Sequence, residues 1–359
     1  MSAIDEIIGK DHYSREDIIH LLSQGDEDEE RRLFKSAYEV KKRHVGNAVY
    51  LRGLIEISNI CEKDCYYCGI RKGNSLVNRY LMNEEEILSG ARQAWEWGYG
   101  SVVLQSGEAT NERYIRFIEK IILKIKAISS PGLGITLSLG EQDEETYRRW
   151  FRAGAHRYLL RIETSDRELY KSLHPQDHSF DRRLECMRSL KEIGYQLGTG
   201  VMIGLPGQTV DHLAGDILFF REIDADMIGM GPYIPHRDTP LAELAGGSQD
   251  IRFDPLAMSL RMIAATRIVL KDVNIASTTA LQAMDDSGRE RGIMAGANVI
   301  MPNMTDARYR RYYQLYDNKP CIDENSDVCR GCLEARIQSI GESIGYNHWG
   351  DSPHFKRNS

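Results

Sequence analysis

A (β/α)8 TIM barrel, preceded by a helical extension and followed by a cysteine-bearing segment, is the fold class this sequence predicts. Three observations carry the reading: eight strand-like runs separated by seven helix-like ones, no low-complexity tract between residues 49 and 304, and a length of 359 residues. Such a barrel needs roughly 250 residues, so one barrel plus extra segments accounts for the chain. Alternating strands and helices require parallel strands joined by crossover helices. An open doubly wound sheet is the competing architecture.

Residues 1–48 read as polar and helical. Ser14 precedes Asp17 and the apolar Ile18, Ile19, Leu21 and Leu22, which is a helix start. A second amphipathic helix spans about 28–43, and both are expected to pack outside the barrel. Strands are read at 50–58, 101–105, 134–139, 157–163, 196–203, 227–234, 275–280 and 298–301. Helices lie near 84–97, 111–127, 143–153, 180–193, 209–223, 255–270 and 286–294. Residues 305–359 read as an irregular tail.

The formal net charge is −7, which argues against a nucleic-acid partner, because phosphate contacts need clustered Lys and Arg. No apolar run approaches the roughly 18 residues of a membrane span. The start of the chain lacks the basic-then-apolar pattern of a signal peptide, so a cytoplasmic location is expected. Six of the seven Cys fall into two tight groups, and a reducing compartment favours cofactor ligation over disulfides. The seventh, Cys186, reads as an inert buried thiol in a helix.

The first group, Cys61, Cys65 and Cys68, has the spacing C-x3-C-x2-C directly after the first strand. Loops after barrel strands sit at the catalytic face. Three thiolates leave one iron of a cubane open to chelate the amino and carboxylate groups of S-adenosylmethionine (SAM). A structural zinc site wants four ligands, and a four-Cys cluster has no open iron. The alternative is a zinc loop that borrows a distant fourth ligand. Tyr67 suits a wall against the adenine. This spacing is the signature of the radical SAM superfamily.

Supporting residues follow at other strand ends. Gln105-Ser106-Gly107-Glu108 stands where that superfamily often has Gly-Gly-Glu, whose backbone binds the SAM amino group; Ser106 replaces the first Gly. Along 157–163, alternation puts Arg157, Leu159, Arg161 and Glu163 on one face and Tyr158, Leu160 and Ile162 on the other. The charged face then lines the barrel interior, where charges must be paired or bind something. Glu163 suits the SAM ribose, and Arg157 and Arg161 suit substrate anions; a closed ion-pair network is the alternative. Thr136, Ser138, Thr278 and Thr279 are candidates for the same cavity, although neighbouring residues on a strand should diverge. Arg183 reads either as a partner of the SAM carboxylate or as a surface arginine. The glycine-rich run 200–209 fits a wall beside adenine. His236 and Asp238 fall in a catalytic-face loop.

The second group, Cys321, Cys329 and Cys332, is spaced C-x7-C-x2-C, which suits a second Fe–S cluster or, less readily, zinc. With Ile55-Glu-Ile-Ser-Asn59, Arg79-Tyr80, Thr136-Leu-Ser-Leu-Gly-Glu141, Gly204-Leu-Pro-Gly-Gln-Thr209, Ile234-Pro-His236, Gly296-Ala-Asn-Val-Ile-Met-Pro-Asn303 and Tyr313-Gln-Leu-Tyr316, the chain resembles the [FeFe]-hydrogenase maturase family HydE over about residues 14–350. The resemblance implies a [4Fe–4S] cluster with SAM at its open iron. It implies Ser106, Glu163, Arg183, Met202, Met227 and Tyr316 around SAM, and Thr136, Arg157, Arg161, Thr278, Thr279 and Met301 around a deeper substrate cavity. The terminal triad is implied to be accessory. The implied substrate is a small iron–cysteine complex bearing CO and cyanide, made by the maturase HydG, with the product passed to the GTPase HydF. A ferredoxin or flavodoxin would supply electrons. No protein nucleophile or acid–base pair is assigned. The rival readings are a radical SAM enzyme of the biotin-synthase or methylornithine-synthase type, and a non-enzymatic Fe–S carrier.

Overall fold

The computed structural model describes residues 3–23, 25–128, 132–245, 253–320 and 326–358. Its centre is a closed barrel of eight parallel strands. In chain order they are β1 (Ala48–Ser58), β2 (Ser101–Ser106), β3 (Gly134–Ser138), β4 (Arg157–Leu159), β5 (Gln196–Thr199), β7 (Met227–Pro232), β8 (Asn274–Ser277) and β9 (Val299–Ile300), and β9 pairs back onto β1 through Tyr50 and Val299. The two-residue β6 (Met202–Ile203) continues the path of β5 and pairs with β7. The open-sheet alternative is thereby excluded.

The register explains which residues build the core and which face the interior. Residues opposite one another in a parallel sheet share a face. Ile55, Val102, Ile135, Tyr158, Leu197, Ile228, Ile275 and Ile300 form the outward set, buried against the helix ring. Arg52, Thr136, Arg157, Gln196, Gly198, Met227 and Asn274 form the inward set. Seven helices follow the strands as expected, among them Glu84–Glu96, Phe180–Ile193, Val210–Glu222 and Gly288–Met294. The N-terminal helices Arg15–Leu22 and Glu27–His44 lie outside the barrel. Arg15 pairs with Asp211 and Arg261 with Glu30.

The tail is more ordered than the sequence suggests. Its helix Ser326–Ser339 spans the ring between the first and last barrel helices: Arg330 lies over the Trp97 ring and Arg336 pairs with Glu290. It thus fills the eighth helical place. A last strand, β10 (Ser343–Ile344), pairs with the start of β1. The segment after it closes the N-terminal end of the barrel. Among the described residues, no helix is long and apolar enough to cross a membrane.

Candidate functional site

The loop after β1 is held from both ends. Asn59 is buried; its Nδ2 donates to the carbonyls of Asn78 and Tyr312, and its Oδ1 accepts from the Tyr80 backbone. The Arg79 guanidinium donates to the carbonyls of Asn59, Ile70, Arg71 and Asn74. Glycine is required where the loop meets its neighbours. A Cβ at Gly107 would lie 2.3 Å from the Ile60 carbonyl oxygen and 2.7 Å from Cys61 Cβ, and one at Gly69 would lie 2.2 Å from the Gln314 carbonyl oxygen.

Cys61, Cys65 and Cys68 are free and half-buried in this loop. Burial raises all three thiol pKa values, that of Cys65 to about 12, while the Arg183 charge acts against the rise at Cys65. Backbone N–H groups already point at sulfur: Glu108 N–H donates to Cys61 Sγ at 3.4 Å, and the backbones of Lys63 and Ile70 favour the thiolates of Cys61 and Cys68. Three clustered thiols with N–H donors suit a thiolate-bound cluster, and loading it releases protons.

The expected SAM residues gather partly around that loop. Tyr67 donates from its hydroxyl to Glu163 Oε1 at 3.4 Å and packs edge-on against His174. Arg183 is no surface arginine. It is buried, with Nε 2.5 Å from Glu141 Oε1 and Nη1 donating to the Arg161 carbonyl. Glu141 also pairs with Lys63, whose Nζ lies 3.4 Å from Glu108. Met202 sits in a small apolar cluster with Leu169, Leu205 and Tyr233, against which Tyr67 packs. Ser106 turns its hydroxyl to Tyr114 and to the Gly107 carbonyl, which leaves only its backbone for a ligand. Tyr316 is half-buried in the segment after the barrel. Met227 departs from expectation. It starts β7, at the far end from the loop, and its sulfur meets Arg52.

The 157–163 segment corrects the strand reading. β4 ends at Leu159, and Glu163 has φ +67°, so strict alternation stops short of it. Glu163 is nonetheless fixed: its N–H donates to the Gly200 carbonyl and its own carbonyl accepts from Met202. Arg161 Nη2 stands 3.0 Å from Glu163 Oε2, and Arg161 Nε is buried without a partner. Arg157 lies in the floor, where Nε donates to Thr136 Oγ1 and Nη1 to Asp351 and the Trp349 carbonyl. Its Nη2 is buried and unpartnered. Most of this arginine is therefore spent on a closed network, and one N–H pair is spare.

Thr278 and Thr279 diverge. Thr278 stands at the N-cap position of the helix Thr279–Met284 without capping it, and that helix replaces the expected end of the strand; the Thr278 hydroxyl donates to the Met230 carbonyl, whereas Thr279 accepts from Arg289. Met301 and Thr279 line a cleft of about 110 Å³ together with Asn303, Lys319 and Cys332. Cys332 is exposed. Cys321 and the side chain of Cys329 lie outside the described residues.

Several participants escaped the sequence reading. His174 and His178 bring ring nitrogens close to Cys65; the His-Pro-Gln-Asp-His run was visible but had no assigned neighbour. Lys319 reaches Glu56 inside the barrel, and Asp351 anchors the floor. His236 packs against Gly69, behind Cys68, and Cys186 is buried.

A radical SAM superfamily model matches residues 55–220. With the barrel and the three-cysteine loop, it defines a radical SAM enzyme, which uses a [4Fe–4S] cluster and SAM. The [FeFe] hydrogenase maturase subunit HydE of Thermotoga maritima is 44% identical over 345 residues, 96% of this chain and 95% of that protein. The chain belongs to the HydE family. A 3-methylornithine synthase of Methanosarcina acetivorans is 28% identical over 82% of the chain and 81% of its own length. Among solved structures, methylornithine synthase (PylB) superposes with a TM-score of 0.81 at 24% identity, covering 96% of this chain and 98% of that one. The [FeFe]-hydrogenase maturase HydG superposes with a TM-score of 0.77 at 20% identity, covering 96% and 74%.

Proposed function

We propose that this enzyme acts in assembling the di-iron subcluster of [FeFe]-hydrogenase, on a small iron–cysteine complex bearing CO and cyanide. The observation that carries the reading is the 44% identity to a hydrogenase maturase across nearly the whole chain. On this reading HydG supplies the substrate, HydF receives the product, and a ferredoxin or flavodoxin provides electrons. A cytoplasmic location fits such a pathway.

Cys61, Cys65 and Cys68 would hold the [4Fe–4S] cluster. The chemistry available there is one-electron cleavage of SAM to methionine and a 5′-deoxyadenosyl radical. The chain's own groups bind and orient. Ser106 offers backbone, Glu163 a carboxylate for ribose hydroxyls, Arg183 a fixed positive charge, and Tyr67, Met202 and Tyr316 walls. Arg161 and the spare N–H pair of Arg157 would hold cyanide and carboxylate groups by charge-assisted hydrogen bonds, with Thr136, Thr278, Thr279 and Met301 nearby. Met227, sited beside Arg52, belongs with this floor rather than with SAM. The barrel walls exclude water and so limit side reactions of a radical. Cys321, Cys329 and Cys332 would bind an accessory second Fe–S cluster.

Anaerobic reconstitution with SAM and dithionite, followed by electron paramagnetic resonance (EPR) with and without the HydG product, tests the proposal. The expected result is 5′-deoxyadenosine formation that rises with that product. Turnover of an organic amino acid instead would overturn the substrate assignment, and absence of SAM cleavage by a fully loaded protein would favour a carrier.

A further inference from the structure

The helix Arg167–Leu173 and the turn after it set two histidines against the cysteine loop, and neither has a part in the reading above. Ligand atoms of Cys65, His174 and His178 lie within 4.8 Å of one another. Both rings are withdrawn from solvent: His174 is 3% exposed and the His178 side chain 4%. In a neutral imidazole one nitrogen donates and the other accepts, and the neighbours decide which. His178 Nε2 accepts the Asp64 backbone N–H at 3.4 Å, while Nδ1 stands 3.9 Å from Cys65 Sγ. An accepting Nε2 carries no proton, so Nδ1 carries it, facing the sulfur. The carboxylate of Asp177 is 3.8 Å from Nε2, beyond hydrogen-bond distance, and 84% exposed.

His174 has the same assignment. Its Nδ1 donates to the Tyr170 carbonyl at 2.8 Å, which leaves a lone pair on Nε2, and that atom is buried without a hydrogen-bond partner. The Asp64 N–H thus sets the tautomer of His178.

We infer that His178 is a positioning residue for the cluster, donating its Nδ1–H to the Cys65 thiolate with the Asp64 N–H holding the tautomer, and that this donor makes the cluster easier to reduce. The inference rests on the reading of Cys65 as a cluster ligand. The present separation is that of a neutral thiol, and a thiolate draws its donor closer. An N–H dipole aimed at a ligand sulfur stabilises the added electron, and hydrogen bonds to sulfur are among the main determinants of cluster potential.

The test is EPR-monitored potentiometry of the full-length, anaerobically reconstituted enzyme without SAM, for wild type, His178→Leu and His178→Asn. At a fixed potential, His178→Leu should lower the ratio of reduced to oxidised cluster about tenfold, a shift of about 59 mV for one electron. His178→Asn, with a donor near the position of Nδ1, should recover most of it. An unchanged ratio in an iron-loaded His178→Leu variant overturns the inference. Should that variant fail to load, pulsed EPR of wild type labelled with ¹⁵N-histidine decides. A nitrogen coupling that vanishes in His178→Asn supports the hydrogen bond, and no coupling overturns it. A wild type that forms no three-cysteine cluster overturns the ligand reading itself, and this one with it.

Discussion

Glu163 shows at one position how backbone and side chain can be separated. Its φ of +67° costs roughly 1–2 kcal/mol for a residue with a Cβ, and the hydrogen bonds it donates to the Gly200 carbonyl and accepts from the Met202 N–H hold it there. Glu163→Gly should therefore be more stable than Glu163→Ala by about 1 kcal/mol, while both lose SAM affinity equally. Thermal unfolding and calorimetric SAM titration of the two variants check this. Equal stabilities would mean that the left-handed backbone is not retained. Arg161, two residues earlier, touches Glu163 but keeps a buried Nε free. Arg161→Ala should lower turnover of the HydG product more than it weakens SAM binding. Equal losses would move Arg161 out of the substrate wall.

At the scale of elements, the cysteine loop depends on close backbone approach. Gly107→Ala would press a methyl into the Ile60 carbonyl and Cys61, so iron content per chain should fall well below that of wild type in parallel reconstitutions. On the proposed reading the second cysteine triad is accessory, so Cys329→Ala should lose any second cluster yet keep much of the SAM cleavage. The helix Val210–Glu222 carries a pH dependence. Burial pushes the Asp216 carboxyl up to about 7, although its Oδ1 accepts from the Ser165 N–H and hydroxyl. The folded state keeps a proton that the unfolded chain, with an ordinary value of 3.8, releases. Stability therefore falls as pH rises from about 4 to 7. Asp216→Asn should remove that fall. The difference in melting temperature should grow in the variant's favour from pH 5 to pH 8, and a constant difference would show that Asp216 is already ionised.

Much of this was legible because it is periodic or local. The strand–helix alternation, the C-x3-C-x2-C loop and the capped helices each announce themselves within a few residues. What was not legible depends on single contacts between distant parts of the chain. Arg157 reads as a free cavity charge until Asp351, 194 residues later, is found against it. Arg183 reads equally as a partner of the SAM carboxylate or as a surface arginine until Glu141 closes on it, and Thr279 as strand until the chain turns into a helix. Apolar periodicity carries no information about such pairings.

For the molecule as a whole, the decisive feature is that the barrel has a working end and a closed end, and the tail builds the second. Arg52 and Asn274 both donate to the Gly350 carbonyl; Asp351 takes Arg157, Gln196 and a contact from His156; Ser352 N–H donates to Gln196. Burial lowers the pKa of Arg157 to about 10, and the Asp351 charge opposes it. The same neighbours hold the Asp351 carboxyl well below its ordinary range, so its contribution is present above about pH 4 and is lost as pH falls below that. Asp351→Ala would leave the buried guanidinium of Arg157 without the carboxylate it pairs with and take a negative charge from the neighbourhood of Arg52. Removing one partner of a buried pair costs about 3 kcal/mol, or roughly 4 °C in melting temperature for a chain of this length. Asp351→Asn, which keeps an acceptor, should lose less. The cysteine loop lies at the opposite end, so both variants should load the first cluster as wild type does. A loss of cluster without a loss of stability would mean that the two ends are not independent, and that the tail does more than close the floor.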